Sequence, residues 1–181
     1  MIERRTFLTG AVLALATPAE AEMQQGLTPA AGRDWEFLAD TVMGGVSTGG
    51  ARRETEGGRN VLRLTGDVST ENRGGFVQMR TPLETPLPDR AQGLVLRVRG
   101  NGERYFVHLR TRATILPWQF WQAPFRTGAD WAEIRLPWSD FTARGGLVLG
   151  KLKPGGIASV GLAAYGRDHR ADLWLSDIGW Y

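Results

Sequence analysis

From Trp35 onward the apolar residues fall into short segments, each closed by Gly, Pro, Asn or Asp. None runs the roughly ten to twelve periodic residues that an amphipathic helix needs. That punctuation constrains the chain to an all-β fold. Strands are expected at residues 35–38, 60–67, 75–81, 93–99, 104–111, 118–125, 131–137, 157–165 and 171–178. Strands at this spacing suggest a sandwich or jelly roll. Pro82, Pro86, Pro88, Pro117, Pro124, Pro137 and Pro154 punctuate the segments and leave no room for a long helix, although residues 139–146 are compatible with one helical turn.

One hairpin can be read in register. Gly100-Asn101-Gly102-Glu103 carries the Asn-Gly pair that a two-residue type I′ turn favours. Counting outward, Val98 is expected opposite Tyr105, Leu96 opposite Val107 and Leu94 opposite Leu109, an apolar face for the core. The other face would set Arg99 against Arg104, Arg97 against Phe106 and Val95 against His108, with Arg110 and Arg112 continuing the row. By alternation Trp174 lies opposite in facing to Leu173 and Leu175, so it is expected on the same polar face. Guanidinium groups beside aromatic rings can hold a carboxylate, sulfate or phosphate, or stack on a sugar ring. Arg97, Arg99, Phe106, His108, Arg110 and Trp174 therefore form a candidate binding site. The alternative is a solvated outer face whose arginines pair with acids such as Glu133 and Asp172.

The N-terminus reads differently. Arg4-Arg5-Thr6-Phe7-Leu8 precedes an apolar stretch from Ala11 to Ala16 and the small-residue site Ala19-Glu20-Ala21. This order resembles a twin-arginine export signal, with Arg4, Arg5, Phe7 and Leu8 read by the translocase and cleavage after Ala21. The stretch is too short to span a bilayer, and no span is expected in the mature chain. Residues 1–21 are thus read as a cleavable signal helix, 22–33 as a flexible segment and 34–181 as one domain, with the mature protein periplasmic. Export in the folded state fits a chain without cysteine.

Charge and motif content narrow the function. The leader holds two basic and two acidic residues, so the mature part keeps the formal net charge of +3. Its arginines are interleaved with acids rather than clustered, which argues against a nucleic-acid partner. His108 and His169 are the only histidines, no Gly-x-Ser-x-Gly elbow occurs, and no His or Cys spacing suits a metal. No catalytic residues, metal or cofactor are expected, and the chain reads as a binding protein rather than an enzyme. Two polar loops complete the candidate sites. In one, Asp40 precedes Gly44-Gly45 and Ser47; in the other, Asn72 and Arg73 precede Gly74-Gly75. Each is either a ligand-binding corner or a turn, and Arg73 is a candidate partner for Asp40.

The segments Asp40-Thr41-Val42-Met43-Gly44-Gly45-Val46-Ser47 and Glu71-Asn72-Arg73-Gly74-Gly75-Phe76 carry a resemblance, extended by residues 93–102, by Gln122-Ala123-Pro124-Phe125 and by Leu136-Pro137-Trp138-Ser139-Asp140-Phe141. Together they resemble the complex I intermediate-associated protein 30 family over roughly residues 35–178. The resemblance implies a galactose-binding-domain-like jelly-roll β-sandwich without catalytic residues, and a role in assembly, as in mitochondrial members that chaperone respiratory complex I. For an exported chain, the implied partner is an assembly intermediate or another envelope protein. A glycan or anionic small molecule on the arginine and aromatic face is the alternative ligand.

Overall fold

The computed structural model describes residues 23–146 and 151–181. The expected export signal, with Arg4, Arg5, Phe7, Leu8, Ala19 and Ala21, lies outside the described residues. The described chain is all-β. Its strands are β1 (Thr28–Pro29), β2 (Glu36–Ala39), β3 (Thr48–Glu56), β4 (Arg59–Val68), β5 (Phe76–Pro82), β6 (Gly93–Gly100), β7 (Arg104–Thr111), β8 (Phe120–Arg126), β9 (Ala132–Pro137), β10 (Thr142–Arg144), β11 (Ile157–Tyr165) and β12 (His169–Trp180). The helical turn expected near residue 139 is a short 3-10 turn at Trp138–Asp140, followed by β10.

The strands form two antiparallel sheets packed as a jelly-roll sandwich. One runs β3-β4-β12-β6-β9, with β1 on the end of β12; the other runs β10-β8-β7-β11-β5-β2. Leu62, Leu64, Leu94, Leu96, Leu173 and Leu175 of the first sheet are buried, as are Val77, Met79, Tyr105, Val107, Leu109 and Leu162 of the second. Burying each such aliphatic side chain contributes about 2 kcal/mol relative to leaving it in water, which fixes the two sheets face to face.

Three expectations are corrected here. The first is the hairpin: β6 pairs with β12 and β9, while β7 pairs with β8 and β11. The Asn101 amide instead donates to the Asp172 carbonyl, its side-chain amide donates to the Arg170 carbonyl, and its Oδ1 accepts from the Tyr105 hydroxyl at 2.6 Å. Asn101 thus anchors a crossover between sheets rather than a tight turn. Leu94, Leu96 and Val98 still point inward, but they come at Tyr105, Val107 and Leu109 from the other sheet.

The second correction is the segment 22–33, expected to be flexible. Thr28 and Pro29 register against Ile178 and Asp177, the Gly26 amide donates to the Trp180 carbonyl, and Ala30 is fully buried. The third is β3, which was not expected. Its residues Thr48–Glu56 are largely polar and charged, with a glycine pair, so they carry no apolar alternation. It is an edge strand bonded only to β4, where charged side chains need no core and discourage further pairing.

Candidate functional site

The two outer faces of the sandwich differ in chemistry. On the first sheet a row crosses the strands as Arg52, Arg63, Trp174 and Arg99, with Trp131 beside it. The Trp174 ring lies between two guanidinium groups, Arg63 at 4.5 Å and Arg99 at 4.4 Å, and Arg99 also lies 5.4 Å from the Trp131 ring. Arg63 grips Asp172 with two hydrogen bonds, at 2.9 and 2.8 Å. Those bonds lead the causes that raise the Arg63 pKa and lower that of Asp172. Arg99 pairs with Glu56 at 2.7 Å, Arg52 with Glu54 at 2.7 Å, Arg59 with Asp177 at 2.9 Å and Arg135 with Glu133 at 2.8 Å. Each of these cations is matched within the face. Arg97 is exposed on the same sheet, in register with Glu133 and Asp177.

The residues grouped by the expected hairpin are therefore separated. Arg97, Arg99 and Trp174 stand on the outer face of the first sheet, whereas Phe106, His108 and Arg110 stand on the outer face of the second. There the registers set Phe106, His108 and Arg110 of β7 against Ala163, Gly161 and Ser159 of β11, and Gly161 and Ala163 against Arg80 and Gln78 of β5. Gly161 matters because a methyl group there would meet the Gln78 side-chain amide 2.6 Å away; its absence lets Gln78 lie across β11 to reach His108.

His108 is the centre of this face. Its Nδ1 lies 3.0 Å from Gln78 Oε1, which can only accept, so Nδ1 carries the proton. Its Nε2 lies 2.9 Å from Gln122 Nε2 and accepts from it, an arrangement available only to the neutral ring. The ring stacks on Phe120 at 4.2 Å and meets the edge of Tyr165 at 5.3 Å, while Phe106 and Tyr165 meet edge to face at 5.9 Å. Burial pushes the His108 pKa down to about 3. Its hydrogen bonds go to amides, so no carboxylate orients it as a general base. Gln78, Phe120 and Tyr165 were not singled out from sequence, and Gln122 only within the segment that carries the family resemblance. The signal available was alternation within β5 and β8, which sets Gln78 and Gln122 in phase with outward residues but does not say that they flank β7.

Asp40 is a structural residue. Its carboxylate is fully buried and accepts four hydrogen bonds of 2.5–3.2 Å, from the amides of Ser47, Gly75 and Phe76 and from the Ser47 hydroxyl. Burial opposes ionisation, but the Gly75 amide and the other donors outweigh it and hold the Asp40 pKa below the usual carboxylate range. A methyl group at Gly45 or Gly74 would overlap this carboxyl. The glycine pairs thus let two loops close on one anion, which gives both conspicuous motifs a structural role. Asn72 and Arg73 are exposed, with φ of 53° and 62°; they form the turn that delivers the Gly75 amide, and Asp40 is bound by these donors rather than by Arg73.

Apolar side chains stand exposed on loops at both ends of the second sheet. Val42, Met43 and Val46 lie at the end of β2, and Ile115, Leu116 and Trp118 lie between β7 and β8. No group of three or more His, Cys, Asp or Glu suited to a metal occurs among the described residues. No helix among them is long and apolar enough to cross a membrane.

The family described as complex I intermediate-associated protein 30 (CIA30) matches residues 26–175. No curated protein matches the chain. Among solved structures, the fold is similar to the family 11 carbohydrate-binding module from Clostridium thermocellum in complex with a β-1,3-1,4-mixed-linked tetrasaccharide. The identity is 13% and the TM-score 0.65, over 81% of this chain and 87% of that one. The same module of the cellulosomal cellulase Lic26A-Cel5E of that organism aligns at 12% identity and a TM-score of 0.65, over 90% and 92% of the two chains. A family 30 carbohydrate-binding module aligns at 14% identity and a TM-score of 0.54, over 76% and 92%. At these identities the likeness is one of fold.

Proposed function

Since the chain belongs to the complex I intermediate-associated protein 30 family, we propose that it is a non-catalytic binding module whose ligand surface is the outer face of the β10-β8-β7-β11-β5-β2 sheet. The observation that carries this reading is the contrast between the faces. On the first sheet Arg52, Arg59, Arg63, Arg99 and Arg135 are each held by a carboxylate of that sheet, with Arg97 exposed among them, while the second presents Phe106, Phe120 and Tyr165 around the amides of Gln78 and Gln122. Flat apolar rings bordered by amides suit a saccharide, whose ring has an apolar C–H face and a hydroxyl edge. The fold shared with modules that bind saccharides supports that class of ligand.

Titration of the mature protein against a panel of soluble polysaccharides tests the reading. Phe106→Ala and Tyr165→Ala should each weaken binding by about tenfold, equivalent to roughly 1.4 kcal/mol, and Trp174→Ala on the opposite face should not. Equal weakening by Trp174→Ala, or none by Tyr165→Ala, would remove the site from this face.

A protein partner is the second reading. The exposed Val42, Met43, Ile115 and Trp118 favour it, because apolar side chains on loops at both ends of one face offer anchors for an assembly intermediate. We further propose that either ligand is met in the periplasm after twin-arginine export.

A further inference from the structure

We propose that the ligand of the second sheet's outer face is an acidic saccharide, its carboxylate or sulfate held by Arg110 and Arg112 with Arg80. This rests on the saccharide reading above and names the class within it.

An open cleft of about 440 Å³ lies where this face meets the β7–β8 loop, lined among others by Glu36, Arg80, Arg110, Arg112, Thr114 and Ser159. A volume of this order accommodates a small ligand group. Three guanidinium groups share the cleft with one carboxylate, and that carboxylate, Glu36, is already joined to Arg80. Arg110 donates to the carbonyls of Thr114, Leu116 and Pro117 at 3.2–3.3 Å, and Arg112 donates to the Gly155 carbonyl at 2.8 Å. Carbonyls orient a guanidinium without neutralising it. The contrast with the first sheet is direct, since Arg52, Arg59, Arg63, Arg99 and Arg135 there each hold a carboxylate at 2.9 Å or less.

Two further facts point to an anion. Burial, and then the charge of Arg80, lowers the Arg110 pKa, so the protonated guanidinium is destabilised in a way that a bound anion would offset. The cleft also continues the aromatic face. Arg110 follows His108 and Phe106 on the same side of β7, about 14 Å from Phe106 at roughly 3.4 Å per residue. A chain stacked on Phe106 and Tyr165 can therefore set an acidic group of a later residue against the planar donors of the arginines, which match carboxylate and sulfate geometry.

The test is calorimetric titration of the mature protein with two matched pairs: an oligouronate and its carboxyl-reduced neutral counterpart, and sulfated dextran and dextran. One acidic member should bind at least about tenfold more tightly than its neutral counterpart at low salt, and the preference should shrink as ionic strength rises. Arg112→Gln should reduce the preference while leaving the neutral polymer's affinity unchanged. Arg112 is exposed and its side chain donates to the Gly155 carbonyl, so this variant complements Arg110→Gln, which releases three loop carbonyls. Arg52→Gln on the first sheet serves as the control. The uronate and sulfate arms distinguish the two acidic groups. Equal affinity for acidic and neutral members would overturn the anion subsite and leave the saccharide face standing. A preference unaltered in both arginine variants would overturn the residue assignment. Failure of all four polymers to bind folded protein would overturn the saccharide reading itself.

Discussion

The neutral, buried His108 makes the fold sensitive to mild acid, and the size of the effect follows from its surroundings. In the folded protein its two ring nitrogens are committed to Gln78 and Gln122 as one donor and one acceptor, and burial holds its pKa at about 3. In the unfolded chain the ring titrates near its ordinary value of about 6.5. As pH falls, the unfolded state therefore takes up the proton first. The stability due to the neutral ring is complete above about pH 6.5 and drains away between there and about pH 3, at roughly 1.4 kcal/mol per pH unit. Between pH 7.5 and pH 5 the cost is about 2 kcal/mol. Asp40, Glu54, Asp168 and Asp172 all have lowered pKa values, so they stay ionised in the folded state across this window. His169, also lowered by burial, is common to wild type and variant and cancels in the comparison. Urea unfolding followed by tryptophan fluorescence at pH 7.5, 6 and 5 should show wild type losing about 2 kcal/mol more than His108→Gln. Whatever the variant costs at pH 7.5, the comparison reads only the slope. Parallel slopes in the two proteins would refute a buried neutral His108.

Other perturbations probe the rest of the molecule. Asp40→Ala strands the amides of Ser47, Gly75 and Phe76 and should lower the unfolding free energy by about 3–5 kcal/mol in urea titrations. Gly74→Ala, which crowds the same carboxyl, should cost about 1–3 kcal/mol by the same measurement. Trp174→Ala removes two guanidinium stacks and should cost about 1–2 kcal/mol of stability while leaving saccharide affinity unchanged, as unfolding and titration of one sample would show. Fractionation of tagged full-length protein should recover a shortened form in the periplasm, and the double variant Arg4→Lys, Arg5→Lys should stay in the cytoplasm at full length.

The inward and outward sorting of side chains was legible in the sequence. In β6, Leu94, Leu96 and Val98 alternate with Val95, Arg97 and Arg99, and in β7, Tyr105, Val107 and Leu109 alternate with Phe106, His108 and Arg110; both triplets are buried as expected. The glycine pairs near Asp40 were equally visible as special backbone, although their purpose was not, because the Gly75 amide and the Asp40 carboxylate meet across 35 residues. Edge strand β3 was hidden, since a strand bonded on one side and facing water has no apolar pattern to show.

What escaped the sequence was pairing. Side-chain direction along a strand repeats every two residues and is set by the local backbone, so it can be read from a few neighbours in the chain. Which strands lie side by side depends on contacts distant in sequence: β12 between β4 and β6, and β11 between β5 and β7. An Asn-Gly pair fits a tight hairpin, but Asn101 here serves a crossover, because the neighbours of β6 and β7 were decided by burying both apolar faces against each other. The sequence thus determined an all-β sandwich, its core residues and an arginine-rich exterior. Only the tertiary structure decided that Arg97, Arg99 and Trp174 stand back to back with Phe106, His108 and Arg110, with the core between them.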